Sequence, residues 1–320
     1  MKKSISGRGP WLACTIIAAV LCALLRRWQL STAFEGELRL PIPWAAASVV
    51  LVCVLVIAGA FLLLLSAYQP VPKRPWRPGQ AHRWDRVFLD SSDMVYPILV
   101  VAAGFLTLGS VPVLASAGVE LWRDYRAAVE AHIDPLPTNN GVLLIAAAVA
   151  AVFAFFGLLQ LARNGLRPGH RSRDGFSAAL PGLAGCIWLM ESFRAHAADP
   201  VLWDYAPQML AIMCGMLFYM DYAGMSGSGA RPRRLLWLAG MTVVLSAVSL
   251  VSAAAELSAL VGVGGFRERL GDVLLLLSQM AAALAVLWRL PPNLENPPQP
   301  MPDGTGPEQE QEEQEETTHE

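Results

Sequence analysis

Residues 44–68 form a long apolar stretch that carries no charged side chain. About 20 such residues are enough to cross the hydrocarbon core of a bilayer as one α-helix. Only helices and closed β-barrels satisfy every backbone hydrogen bond in that environment. Comparable apolar stretches recur along the chain, so we predict an all-α, polytopic bundle of about eight transmembrane helices. The predicted spans are residues 11–28, 44–68, 96–117, 141–162, 178–193, 205–222, 235–256 and 273–290.

The composition favours the same class of protein. Hydrophobic residues make up 54% of the chain and charged residues only 16%, whereas soluble domains carry about 25% charged residues. The basic residues are not interleaved with exposed aromatic side chains, so the sequence gives no sign of a nucleic-acid partner. The five cysteines lie in apolar stretches, without a CxxC pair or a histidine at ligand spacing. We therefore predict the lipid bilayer as the main partner, and neither a metal site nor a cofactor.

The distribution of Lys and Arg predicts the orientation. The segments that alternate from the N-terminus carry 16 basic residues, and the intervening segments carry eight. Basic residues accumulate in cytoplasmic loops, so both termini are predicted to be cytoplasmic. An even number of spans likewise places both termini on the same side of the membrane. We expect a multi-pass protein of the cell membrane.

The last 30 residues differ from the rest of the chain. Residues 291–320 contain nine acidic side chains and no Lys or Arg, among many Pro and Gln residues. Such a segment cannot bury enough apolar surface to fold. We predict a disordered, acidic cytoplasmic tail, which offers a docking segment for a basic protein partner.

Charged residues near the ends of the spans are the candidates for a site, because such residues are costly in lipid. Glu191 lies near the predicted outer end of span five, and Arg194 follows at a spacing that allows the two to pair. Glu256 comes about 22 residues after Arg234, which places it near the same surface at the rise of a helix. We predict an outward-facing polar site from Glu191, Arg194 and Glu256. The alternative is a set of interfacial charges that only fix helix ends.

Span seven adds a row of small and polar residues on one helix face. Ser246, Ser249, Ala253 and Glu256 follow Thr242 at steps of four and three residues. This face either lines a water-filled path to Glu256 or forms a tight seam between helices, where small residues and hydroxyls are common.

Asp221 and Asp272 are secondary candidates. Residues 270–272, Leu-Gly-Asp, match part of the Gly-x-Gly-Asp motif of intramembrane aspartyl proteases, although the first glycine is missing. Asp221 or Asp204 would then be the second acid. The chain contains no HExxH, GxSxG or P-loop motif, so no catalytic residue is assigned.

The segments ADPVLWDY (198–205) and MDYAGM (220–225), followed by RPRR and a serine-bearing apolar run, resemble a family of uncharacterised multi-span bacterial membrane proteins. The resemblance covers spans five to seven and implies a bacterial cell membrane, without a function. Our leading hypothesis is a non-enzymatic membrane subunit or regulator. The alternatives are a transporter of a small solute or ion that uses the outward-facing polar site, and an intramembrane enzyme.

Overall fold

The computed structural model describes residues 8–35, 40–42, 44–71, 93–131, 141–166, 174–196, 202–225, 230–259 and 266–295. These residues form eight helices and one short hairpin, in which Phe34 pairs with Pro41. The predicted all-α, polytopic bundle is confirmed. In chain order the elements are α1 Arg8–Thr32, β1 Phe34–Glu35, β2 Leu40–Pro41, α2 Ala46–Tyr68, α3 Val95–Glu130, α4 Gly141–Leu166, α5 Asp174–His196, α6 Leu202–Gly224, α7 Pro232–Ala259 and α8 Phe266–Glu295.

Seven of these helices are long and apolar enough to cross a membrane, and α6 is the exception. At 23 residues α6 spans about 34 Å, which is long enough, but its described part does not reach the hydropathy that the other seven helices reach over a membrane-spanning window. It nevertheless packs against α5 from end to end. Met220 lies against Gly182 near one end, and the ring of Tyr205 stacks on His196 at the other, with centroids 4.9 Å apart. All eight predicted spans are therefore helices, and packing rather than apolarity places α6 among them.

Both described ends of the chain lie at the same end of the bundle. Trp11 in α1 donates its indole N–H to Oε1 of Gln69 at 2.9 Å, and Gln69 donates to the carbonyl of Pro291 in α8 at 3.3 Å. Trp288 of α8 donates to Asp93, just before α3. We call this the terminal end and the opposite one the far end. The arrangement agrees with the predicted even number of crossings.

Helices α3 to α8 form a closed ring, since each packs against the next and α8 packs against α3. Helices α1 and α2 lie outside the ring against α7. Consequently 72% of the apolar window of α7 is buried, against 22% of that of α2. Val56 and Ile57 of α2 are among the exposed apolar side chains that face the lipid. The core of the protein thus centres on α7 and α8.

Two buried contacts show how tightly the helices approach. Arg26 near the end of α1 is fully buried and donates to the hydroxyl of Ser252 in α7 at 2.8 Å. In α5, Pro181 has no N–H to donate to the carbonyl of Ser177. That carbonyl lies so close to Gly157 of α4 that a Cβ there would be 2.4 Å from it. Only glycine allows this approach.

Helix α3 is longer than predicted. The expected span ended at residue 117, but α3 runs from Val95 to Glu130, 36 residues in all. Gly118 does not break the helix, because it lies where α3 crosses the start of α4 and a Cβ would be 2.8 Å from the carbonyl of Gly141. Glu120 forms an ion pair with Arg267 of α8. Residues 119–130 therefore project beyond the start of α4 as an extension of α3.

Helix α8 also runs further than predicted. Residues 291–295 belong to the helix rather than to the acidic tail, because Leu294 is buried in the core and Asn293 is nearly so. The remainder of the predicted tail, residues 296–320, lies outside the described residues, as do residues 72–92 and 167–173.

Candidate functional site: a polar cluster beside a cavity

Arg269, in the first turns of α8, is the centre of a polar cluster at the far end. Its Nε lies 2.7 Å from the carboxylate of Glu256 in α7. One Nη donates to Oε1 of Gln208 in α6 at 3.1 Å, and the other lies 3.2 Å from Nε2 of His196 in α5. A single guanidinium thus joins α8 to three other helices, which its planar set of N–H donors makes possible.

Asp272 lies one turn further along α8 and is only 5% exposed. One carboxylate oxygen accepts from the indole N–H of Trp188 at 2.7 Å, and the other accepts from the amide of Gln208 at 3.0 Å. The second oxygen is also 3.6 Å from Arg269. A buried carboxylate is costly unless it is hydrogen-bonded and paired with a cation. These donors and the nearby guanidinium offset that cost.

His196 is held in one tautomer by its neighbours. Its Nδ1 lies 2.8 Å from the carbonyl of Ser192, which can only accept, so Nδ1 carries the proton. Its Nε2 faces the guanidinium of Arg269, which can only donate, so Nε2 presents its lone pair. The imidazole is therefore neutral in this arrangement. It is a half-buried part of the cluster, although nothing in its local sequence distinguishes it from a solvated residue at a helix end.

The predicted outward-facing site is brought together only in part. Glu256 belongs to the cluster through Arg269. Glu191 is 2% exposed, whereas Arg194 lies on the exposed surface of α5. Their spacing along the helix therefore does not place them in one environment. Gln208 and Arg269, which carry most contacts of the cluster, were not predicted.

The serines of α7 are packing residues in this structure. Ser246 is fully buried and accepts from the side-chain amide of Gln279 in α8 at 2.8 Å. Ser249 donates to the carbonyl of Leu245 within its own helix at 2.9 Å. Thr242 is fully buried as well. Of the two interpretations of this face, the seam between helices is the one that these contacts favour.

Asp221 and Asp272 lie at opposite ends of the bundle. Asp221, in the last turn of α6, forms an ion pair of 2.8 Å with Arg234 at the start of α7. The next residue, Tyr222, shares a hydrogen bond with Tyr96 of α3, which is at the terminal end. Asp272 lies in the far-end cluster. The two acids therefore cannot share a substrate, as an aspartyl protease would require.

A cavity lies inside the ring of helices, next to the cluster. It has about 480 Å³ of empty space, counting the open space at its mouth. Trp188, which donates to Asp272, forms part of its wall, so the cavity and the cluster share one side chain. Its polar lining consists mainly of Thr107, Ser278 and Gln279. The remaining lining residues are mostly small or apolar: Ala147, Ala151, Ala154, Leu158, Pro181, Ala184, Gly185, Gly215, Met216, Tyr219 and Leu275.

Sequence reasoning missed this cavity. A single threonine, serine or glutamine in an apolar span is equally compatible with packing between helices. Only Gln279, an amide near the middle of α8, is costly enough in lipid to have been singled out. The small side chains of Ala147 and Ala151 leave part of the space that the cavity occupies.

Comparisons with protein-family models, with curated proteins and with solved structures find no match to this chain. Among the described residues, no group of three or more His, Cys, Asp or Glu side chains is placed to hold a metal ion. The resemblance based on residues 198–252 stays a prediction. The functional argument therefore depends on the geometry of the cluster and the cavity.

Proposed function

We propose that this chain is a transporter that lets a small solute cross the membrane through the ring formed by α3 to α8. The observation that supports the proposal is the cavity inside the ring, with Trp188 shared between the cavity wall and the far-end cluster. Binding sites of transporters lie near the middle of the bilayer, at the interface of helices. Thr107 and Gln279 lie well inside α3 and α8, which supports a similar depth for this cavity.

The cluster is suited to act as a gate at the far end. Arg269 is bound by groups from α5, α6 and α7, so a movement of any of these helices must break one of its contacts. Glu256 and His196 are partly exposed, so their contacts with Arg269 cost less to break than a fully buried ion pair would. Gln208, by contrast, is buried. A small helix displacement that breaks the contacts of Glu256 and His196 would therefore open the gate at a modest cost in free energy. The cluster re-forms when the helices return.

Transport is tested with the purified protein in liposomes, by following the entry of small solutes through the change in light scattering. Ala151→Phe places a large side chain in the cavity, and Val149→Phe places the same side chain on the lipid-facing surface of the same helix. We expect Ala151→Phe to abolish entry and Val149→Phe to leave it unchanged. Entry that survives Ala151→Phe in a folded protein would place the pathway elsewhere.

A membrane subunit or regulator is the second candidate. The observation that favours it is the extension of α3, where Leu121, Trp122 and Tyr125 are exposed beyond the start of α4. The acidic tail is the other proposed docking segment. Gentle detergent purification followed by mass spectrometry, with and without residues 296–320, tests the role of the tail. An unchanged set of co-purifying proteins would count against it.

The seven apolar helices make this a multi-pass membrane protein by length and composition. We further propose the bacterial cell membrane as its location, with both termini in the cytoplasm. The support for this is the excess of Lys and Arg in the segments on the side of the termini and the resemblance of residues 198–252.

A further inference from the structure

The hydroxyls of Thr107 and Ser278 on the cavity wall have no hydrogen left to donate. Ser278 and Thr107 both lie within hydrogen-bond distance of the carbonyl of Ala103, at 2.8 and 3.0 Å, and their oxygens are 2.7 Å apart. Only two hydroxyl hydrogens are available for these three contacts. Whichever hydroxyl donates to the carbonyl, the other donates to its neighbour. Both oxygens can therefore only accept a hydrogen bond from a molecule in the cavity.

Gln279 presents an acceptor as well. Its amide nitrogen donates to the hydroxyl of Ser246 at 2.8 Å and to the carbonyl of Ala211 at 3.3 Å. Because a carbonyl only accepts, this fixes which side-chain atom is nitrogen. The remaining atom, Oε1, lies over Gly215 on the cavity wall, so close that a Cβ at position 215 would be 2.2 Å away. No donor to this oxygen is found in the described part of the chain, although Gln279 is only 5% exposed.

The rest of the wall adds little donor capacity. The indole N–H of Trp188 is already bound by Asp272. Tyr219 contributes a hydroxyl, which can donate or accept. The other described lining residues are apolar, and none is charged. A cation that entered the cavity would lose its hydration and would meet no counter-charge at the wall, which is costly in a low-dielectric site. A molecule that carries only hydrogen-bond acceptors would meet mostly acceptors on the wall, so it could form few hydrogen bonds there.

We infer that the cavity binds a small, uncharged molecule that carries N–H or O–H donors, such as a primary amide or a short alcohol. The inference rests on the proposed transport function for its setting, but ligand binding is measurable without transport. Three acceptors on one wall favour a ligand with two or more hydrogens to donate.

Three probes of the same planar shape separate the possibilities. Acetamide has donors and no charge, acetone has no donor, and acetamidinium has donors and a positive charge. Binding is measured by saturation-transfer NMR on the full chain in detergent, and entry of acetamide and acetamidinium is measured in liposomes. We expect acetamide to bind at least about threefold better than acetone, because a single hydrogen bond contributes about two- to tenfold. We expect acetamidinium neither to bind nor to enter.

Two substitutions remove acceptors from the wall. Gln279→Leu and Thr107→Val should each weaken acetamide binding about threefold to tenfold. Their matched controls are Gln160→Leu, on the exposed surface of α4, and Thr15→Val, which is buried in α1 away from the cavity. The controls should leave binding unchanged. Because Thr107→Val keeps the shape of the side chain, it remains informative if Gln279→Leu fails to fold.

Each result decides one proposal. Donor-selective binding without entry would uphold the ligand class and overturn the transport function. Entry without preference for acetamide over acetamidinium, or equal binding of acetone, would overturn the ligand class and leave transport standing. If acetamide neither binds nor enters, both proposals fail.

Discussion

The guanidinium of Arg269 lies 2.7 Å from the carboxylate of Glu256, across the interface of α8 and α7. The residues are 13 positions apart, and the segment between the two helices, residues 260–265, lies outside the described residues. Arg269 also contacts Gln208 and His196, so this one ion pair belongs to a cluster of four helices. The side chains are 21% and 19% exposed. We therefore expect the contribution of this ion pair to stability to lie between that of a surface pair and that of a fully buried one.

Breaking this pair should have an intermediate effect. We expect Glu256→Gln to lower the free energy of unfolding by about 1–2 kcal/mol, between the values for exposed and fully buried ion pairs. Unfolding in mixed detergent micelles measures the change. Glu130→Gln is the control, since its pair with Arg126 is at 3.9 Å and mostly exposed. Equal effects of the two substitutions would mean that Arg269 is held by its other partners alone.

Asp272→Asn should cost more, although it keeps the shape of the side chain. The new amide nitrogen must face a donor, either the indole of Trp188 or the amide of Gln208. We expect a loss of about 2–4 kcal/mol in the same unfolding measurement. Asp124→Asn on the exposed extension of α3 should have little effect. A similar loss in both variants would show that burial of Asp272 does not determine how much this side chain contributes to the free energy of unfolding.

Gly215→Ala should disturb the cavity wall. A Cβ there would be 2.2 Å from Oε1 of Gln279, so the amide must leave Ser246 and Ala211. We expect a loss of about 1–3 kcal/mol of stability together with weaker acetamide binding. Gly109→Ala is the control, because its nearest neighbour, a methyl of Leu274, is 3.8 Å away. Normal binding by a folded Gly215→Ala protein would remove Gln279 from the site.

Gly157→Ala tests the approach of α4 to α5. The added Cβ would lie 2.4 Å from the carbonyl of Ser177, and backbone cannot move aside as a flexible side chain can. We expect about 1–3 kcal/mol of destabilisation, with α4 and α5 displaced from each other. Gly104→Ala in α3 meets its nearest atom at 3.5 Å and should be tolerated. Thermal unfolding in detergent compares the two variants, and equal melting temperatures would contradict the close approach.

The crossing of α6 can be tested by cysteine labelling in cells, in a chain whose five native cysteines are replaced by alanine. We expect Ala198→Cys, before α6, to react with an impermeant maleimide added outside. Ser228→Cys, after α6, should react only once the membrane is made permeable. Labelling of both positions from outside would mean that α6 does not cross, and that seven spans rather than eight form the protein.

The positions of the helices were predictable because lipid leaves the backbone few options. The predicted spans and the observed helices differ mainly at their ends, where the extension of α3 and the final turns of α8 are polar or proline-containing. Composition there neither requires nor forbids a helix. Contacts with α4 and burial of Leu294 extend these helices, and neither is visible in a local window.

The candidate site was less predictable for a different reason. Local spacing suggested a pair between Glu191 and Arg194, three residues apart, of which Glu191 is buried and Arg194 is exposed. The contacts of the cluster instead join Arg269 to Gln208 and His196, 61 and 73 residues away. Without an alignment of homologues, nothing in one sequence links such positions.

The bond between Arg26 and Ser252 sets a condition on how the protein is made. The two residues are 226 positions apart, and Arg26 is fully buried in the finished structure. At about 5–20 residues per second of synthesis, Ser252 follows Arg26 by roughly 10–45 s. During that interval the first helix has an arginine whose final partner does not yet exist. The first helix to be synthesised is thus among the last to complete its contacts, so a chain truncated before α7 would leave this end of the membrane bundle unfinished.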